Sequence, residues 1–167
     1  MSNHSEINNN EVNKPEICIA VSTYLTGEVI YHVLSSIAQV NYPKDRLKVH
    51  VIVWDKDIDT YNYVIKAKDE LKLDLSIHFI NSPSSVDLER NLGIKLCRNF
   101  KYILLLDDDV LIHPETINAA LGYFISDNKV KAVGFTIMSD CTSMVEKLNY
   151  CRYVNTVVEH NATMPIT

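Results

Sequence analysis

The run Tyr102-Ile103-Leu104-Leu105-Leu106, followed at once by Asp107-Asp108-Asp109, constrains this chain more than any other stretch. Five apolar or aromatic residues in a row read as a strand buried on both faces. Such a strand belongs in a parallel sheet covered by helices, and it leaves the core where the three carboxylates stand. In open α/β sheets, ligands sit just outside the carboxyl ends of the strands. Asp107 and Asp109, two positions apart, can aim at one hard cation. Mg²⁺ or Mn²⁺, carried with a phosphate-bearing ligand, suits such donors. Asp108 points the other way by strand alternation and reads as a turn or supporting residue.

The rest of the chain supplies the remaining layers. Residues 1–15 are polar, include Asn8-Asn9-Asn10, and read as a disordered tail ahead of a single domain over 16–167. Ile17–Val21, Val49–Trp54 and Leu75–Ile80 read as further strands, and Val130–Ile137 as a fifth. Ile30, Val33, Leu34 and Ile37 give a helix over 28–39, and Tyr61, Val64, Ile65, Lys68 and Leu71 outline a second. Ser84-x-x-Asp87 reads as a capping box opening a third helix, with Leu88, Leu92 and Leu96 as its periodic apolar positions. Pro114 suits the first position of a fourth, with Ile117, Leu121 and Phe124 inward. Residues 143–158 read as helical. Strands alternating with helices imply an α/β, Rossmann-like, mostly parallel sheet flanked by helices. One rim then gathers Thr23, Tyr24, Asp55, Asp57 and Asp107 to Asp109. Arg90 and Asn91 join it near a positive helix start.

Composition excludes several classes. A chain of 167 residues, 47% hydrophobic and 22% charged, can bury a core without staples. A net charge of −5 argues against a nucleic-acid partner, but not against an anion bridged by metal. The four cysteines, at 18, 97, 141 and 151, form no C-x-x-C pair, which argues against zinc. Cys18 and Cys97 lie in apolar patterns and read as small core residues, while Cys141 and Cys151 could pair. The amino terminus lacks an apolar leader, and no apolar run approaches the roughly 20 residues of a membrane span. The cytoplasm is therefore the expected location, with a membrane surface as an alternative. With only four glycines, the dinucleotide fingerprint and the phosphate loop are both missing.

Several segments in order resemble a family 2 glycosyltransferase of the GT-A fold. They are the strand ending in Thr23-Tyr24, Gln39-Val40-Asn41-Tyr42-Pro43, the acidic end of the second strand at Asp55 and Asp57, Arg90-Asn91-Leu92-Gly93, and the D-x-D of Asp107 and Asp109. The resemblance covers roughly residues 16–137. It implies transfer of a sugar from a UDP- or GDP-linked donor to a hydroxyl of a glycan, protein or lipid, with inversion and with Mn²⁺ or Mg²⁺. It implies that Asp107 and Asp109 hold the metal and the donor diphosphate. Arg90, Asn91 and Asp55 or Asp57 would hold the nucleoside end, with Thr23 and Tyr24 lining it. Leu25 stands where the family commonly has Asn, and Asp55-Lys56-Asp57-Ile58 replaces the common Asp-Asp-Gly-Ser. Residues 110–167 are all that follow the D-x-D, so the acceptor half is expected to be cut away or very compact.

Some roles have plainer readings. Asp55 reads equally as a helix cap, and Asp59 better as one. Tyr24 and Trp54 also suit packing. His113, before Pro114, reads as a helix cap rather than a metal ligand. Asp140 is the leading candidate for a general base, with Glu146 and His160 behind it, although each also suits a structural role. A homo-oligomer is a further expectation, and two other classes compete with an enzyme: a non-catalytic nucleotide-sugar-binding module that needs a partner chain for the acceptor site, and a receiver-like phosphorylation switch. The switch ranks last, since Ser22 and Thr23 stand where its acid pair belongs.

Overall fold

The computed structural model describes residues 14–81, 85–138 and 153–158. Four strands form its main sheet: β1 (Ile17–Ser22), β2 (Leu47–Trp54), β3 (Asp74–Ile80) and β4 (Tyr102–Asp107). All are parallel, in the order β3-β2-β1-β4. In register, Ile17 faces Leu47 and Tyr102, and Ser22 faces Ile52 and Asp107. The three strands β1, β2 and β4 therefore release their chains side by side, on one rim. No described helix is long and apolar enough to cross a membrane.

The two faces of the sheet are built differently. One carries Ile19, Val21, Val49, Val51 and Val53, all fully buried. Against it pack Ile30, Val33, Leu34 and Ile37 of α1 (Val29–Ala38), and Val64 and Ala67 of α2 (Ile58–Leu71). Each such aliphatic side chain contributes about 1.5–3 kcal/mol by leaving water. The other face carries Cys18, Ala20, His50 and Ile52, and is covered by α3 (Val86–Leu96).

The face of α3 that meets the sheet is Glu89, Gly93 and Cys97, not the leucine stripe. Leu88 is exposed, and Leu92 and Leu96 are only half-buried. The reason lies at Gly93, where an added Cβ would come within 2.7 Å of the Ala20 Cβ. The helix nestles on β1 through its smallest residue, and the leucines flank that contact. Its cap is Ser85, which accepts from Leu88 N–H at 3.3 Å, one residue beyond the expected Ser84, which lies outside the described residues. Cys18 and Cys97 are joined by a disulfide rather than free, and the link ties β1 to the end of α3.

Other expectations also need correction. β4 is not buried on both faces: Ile103 and Leu105 are exposed, because β4 is an edge among the described strands and α3 covers β1 more than β4. Pro114 stands two residues before α4 (Thr116–Ser126). Its carbonyl accepts from Asn41 N–H at 2.8 Å, so the proline belongs to the turn that meets the end of α1. The expected fifth strand is shorter, at Gly134–Met138 (β6), and lies in a second sheet with β5 (Leu111–Ile112) and β7 (Tyr153–Val158). There it pairs antiparallel with β7. Residues 153–158, expected as helix, are β7: their β-branched Val154, Thr156, Val157 and Val158 favour a pleated strand. Residues 143–152 lie outside the described residues, as do Cys141 and Cys151. Lys14 and Pro15, assigned to the tail, meet Tyr42, whose hydroxyl donates to the Pro15 carbonyl at 2.6 Å.

Candidate functional site

The exit of β1 is a tight turn held from three sides. Thr23 is buried, and its backbone N–H and hydroxyl both donate to the Ile52 carbonyl, at 3.1 and 2.9 Å. Tyr24 N–H donates to Asp108 Oδ2 at 2.9 Å, and the Thr26 hydroxyl donates to the same oxygen. Leu25 N–H donates to Asp57 Oδ2 at 2.7 Å. Thr26 and Gly27 N–H both reach the Thr60 hydroxyl, at 3.0 and 2.9 Å. Leu25 adopts φ +51°, a left-handed conformation that is costly for a side chain branched like leucine. Asparagine tolerates it better.

These bonds sort the aspartates. Asp57 caps α2 through Oδ1, which accepts from Thr60 N–H at 3.1 Å, so both its oxygens are engaged and it is buried. The cap of α2 is thus neither Asp59 nor Asp55. Asp55 is exposed at the rim, with its N–H on the Ile80 carbonyl at 2.9 Å. Asp108 supports the β1 turn. Burial pushes its carboxyl above the ordinary value, opposed by the bonds from Thr26 and Tyr24 and reinforced by the charge of Asp109. Asp107 sits half-exposed at the end of β4, where its Oδ1 accepts from the Arg90 guanidinium at 2.7 Å. Asp109 follows in the turn before β5 and is partly exposed.

Aromatic residues wall the adjoining side. The Tyr24 and Trp54 rings lie 5.7 Å apart at a tilt of 34°, and Tyr24 is partly open to solvent. Trp54 Nε1 is buried, with no hydrogen-bond partner among the described residues. Asn91 is exposed on α3, one residue beyond Arg90. His113 Nδ1 accepts from Glu115 N–H at 3.2 Å in the turn before α4, whose cap is Glu115 rather than the expected His113. Asp140, Glu146 and His160 lie outside the described residues.

Glu89 is a residue that the sequence reading missed. It is 2% exposed, yet its Oε1 has no partner among the described residues. Burial, and next the charge of Asp108, push its pKa up to about 7. The signal was present: Glu89 precedes Gly93 by one helical turn, so a helix seated through Gly93 turns Glu89 to the sheet as well.

Taken together, the mostly parallel four-stranded sheet and its flanking helices are those of the GT-A fold, an α/β class. The chain belongs to glycosyltransferase-like family 2, whose profile matches residues 15–166. Solved structures of similar fold include S. aureus TarS 1–349, at 23% identity and TM-score 0.57, covering 68% of this chain and 33% of that one. The same TarS fragment in complex with UDP-GlcNAc aligns at 22% identity and TM-score 0.57, over 68% and 32% of the two chains. A Pyrobaculum calidifontis mannosyltransferase, PcManGT, in complex with GDP-Man and Mn²⁺ aligns at 21% identity and TM-score 0.61, over 72% and 35%. This chain thus spans about a third of the length of those chains. No curated protein matches it significantly.

Proposed function

We propose that this chain is the donor-binding part of a glycosyltransferase that takes a nucleoside diphosphate sugar together with Mn²⁺ or Mg²⁺. The observation that carries the reading is the meeting, on one rim, of Asp55, the Tyr24–Trp54 rings, Arg90 and the acid pair Asp107 and Asp109. The donor set fits a hard divalent ion: two partly exposed carboxylates at an open rim, with one Asp107 oxygen outside its bond to Arg90. Asp107 and Asp109 would hold that ion, which supplies a Lewis acid for the two phosphates and the departing nucleoside diphosphate.

The chain's own residues do the positioning. Arg90, oriented by Asp107, turns its remaining N–H groups toward anionic oxygen. Exposed Asp55 takes the nucleoside end rather than Asp57, whose oxygens are engaged. Thr23 fixes the turn that carries Tyr24, and Asn91 lies beside Arg90. Asp140 is proposed as the base that takes the proton of the acceptor hydroxyl, with inversion at the sugar carbon. The bound complexes of TarS and of PcManGT support a nucleotide-sugar ligand, and the second supports a metal.

Calorimetric titration with UDP, GDP and their sugar conjugates, with and without Mn²⁺, tests this. Metal-dependent binding of one nucleotide is expected, and Asp109→Ala is expected to weaken it at least tenfold. Unchanged binding by that variant would sink the site assignment.

A further inference from the structure

On the α3 side of the sheet, away from the acid rim, three buried side chains of soft or borderline donor character converge. Cys18 of β1 and Cys97 at the end of α3 are fully buried, and His50 of β2 is 8% exposed. One donor atom from each lies within 4.8 Å of the other two. The two cysteines are 79 residues apart in sequence, so no spacing rule brings them together. A disulfide needs no imidazole beside it, yet His50 is held there. Its Nδ1 lies 2.9 Å from Nε2 of His78 on β3. With the proton on Nδ1 and His78 accepting it, His50 Nε2 is left with its lone pair. Metal-bound histidines show this arrangement, with the far ring nitrogen donating to a fixed partner. Burial lowers the pKa of both rings. For His50 the charges of His78 and Lys48 add to this, against an opposing pull from Asp74, and for His78 Lys48 adds.

We propose that Cys18, Cys97 and His50 form a Zn²⁺ site that alternates with the disulfide, with His78 as a positioning residue. A dithiol reductant cleaves the S–S bond, supplies two electrons and two protons, and leaves as its own disulfide. Zn²⁺ then displaces the protons of both thiols and takes His50 Nε2 as its third protein donor, the count found where zinc keeps one position for water. Two thiolates and one Zn²⁺ sum to zero charge, which suits a buried pocket. The Cα atoms of the cysteines are 5.6 Å apart, so the backbone already holds the thiols as neighbours. In either state α3 stays tied to β1. The site stands whether or not the donor reading holds.

The test uses the full chain with Cys141→Ser and Cys151→Ser, reduced with a phosphine and titrated with Co²⁺ without oxygen. The expected result is a thiolate-to-cobalt absorption that saturates at one equivalent and vanishes on adding Zn²⁺. Cys97→Ser should abolish it. His50→Ala should weaken binding at least tenfold. His78→Ala should retain the band while weakening affinity by about 10–100-fold. A reduced chain that unfolds without metal should refold with Zn²⁺. Absence of the band in the reduced chain, its survival in Cys97→Ser, unchanged affinity in His50→Ala, or failure of Zn²⁺ to refold an unfolded reduced chain would each overturn the proposal.

Discussion

The two faces of the main sheet meet different demands with the same backbone. Toward α1 and α2 the buried side chains are almost wholly aliphatic, and their role is to exclude water. Toward α3 the buried set includes the Cys18–Cys97 disulfide together with His50 and Glu89, two ionisable groups that are costly to bury. The helix that covers this second face also brings Arg90 to the acid pair. The larger aliphatic core thus lies on one side of the sheet, and the buried ionisable groups His50 and Glu89 on the other.

The sharpest test of this division is Ile19→Ala, on the aliphatic face. Ile19 is fully buried, so the change should cost about 2–5 kcal/mol in denaturant unfolding, nearly independent of pH. A loss below about 1 kcal/mol would break the contrast.

Glu89→Gln probes the other face, with an effect that depends on pH. The Glu89 pKa is raised from 4.5 to about 7 in the fold, so folding favours the protonated form. Its stabilising contribution is full below pH 4.5 and is lost as pH rises through about 7. Glutamine should remove that loss, giving a variant more stable than the parent by about 1–3 kcal/mol at pH 8 and near parity at pH 4. Thermal unfolding at the two pH values measures the difference. An equal effect at both would mean that Glu89 is not titrating with folding.

Leu25→Asn should give the smallest change, a gain of about 1 kcal/mol from relief of the left-handed φ. For a chain of this length that is a rise of about 2–4 °C in melting temperature. A fall would show that the Leu25 side chain contributes packing that outweighs the strain.

Much of this was legible in the sequence because it depends on local pattern. The apolar runs gave β1, β2 and β3 to within two residues, and β4 ends at Asp107, where the apolar run stops. What was hidden depends on partners far along the chain. The leucine stripe of α3 misled because the helix is seated by Gly93 against Ala20, which turns Glu89 and Cys97 inward. Tyr102–Leu106 looked sealed on both sides because apolar content cannot tell a central strand from an edge. Asp55 and Asp57 were indistinguishable until the Leu25 and Thr60 amides showed which one holds the frame. The Cys18–Cys97 link joins residues that no spacing rule could pair.

The bond from Tyr24 N–H to Asp108 joins residues 84 positions apart, so closing it costs loop entropy that the parallel pairing of β1 with β4 offsets. Once closed, it fastens the exit of β1 to the turn that follows β4. For the proposed donor, the aromatic wall and the acid pair would then need no mutual search, because their relative placement is settled when the chain folds.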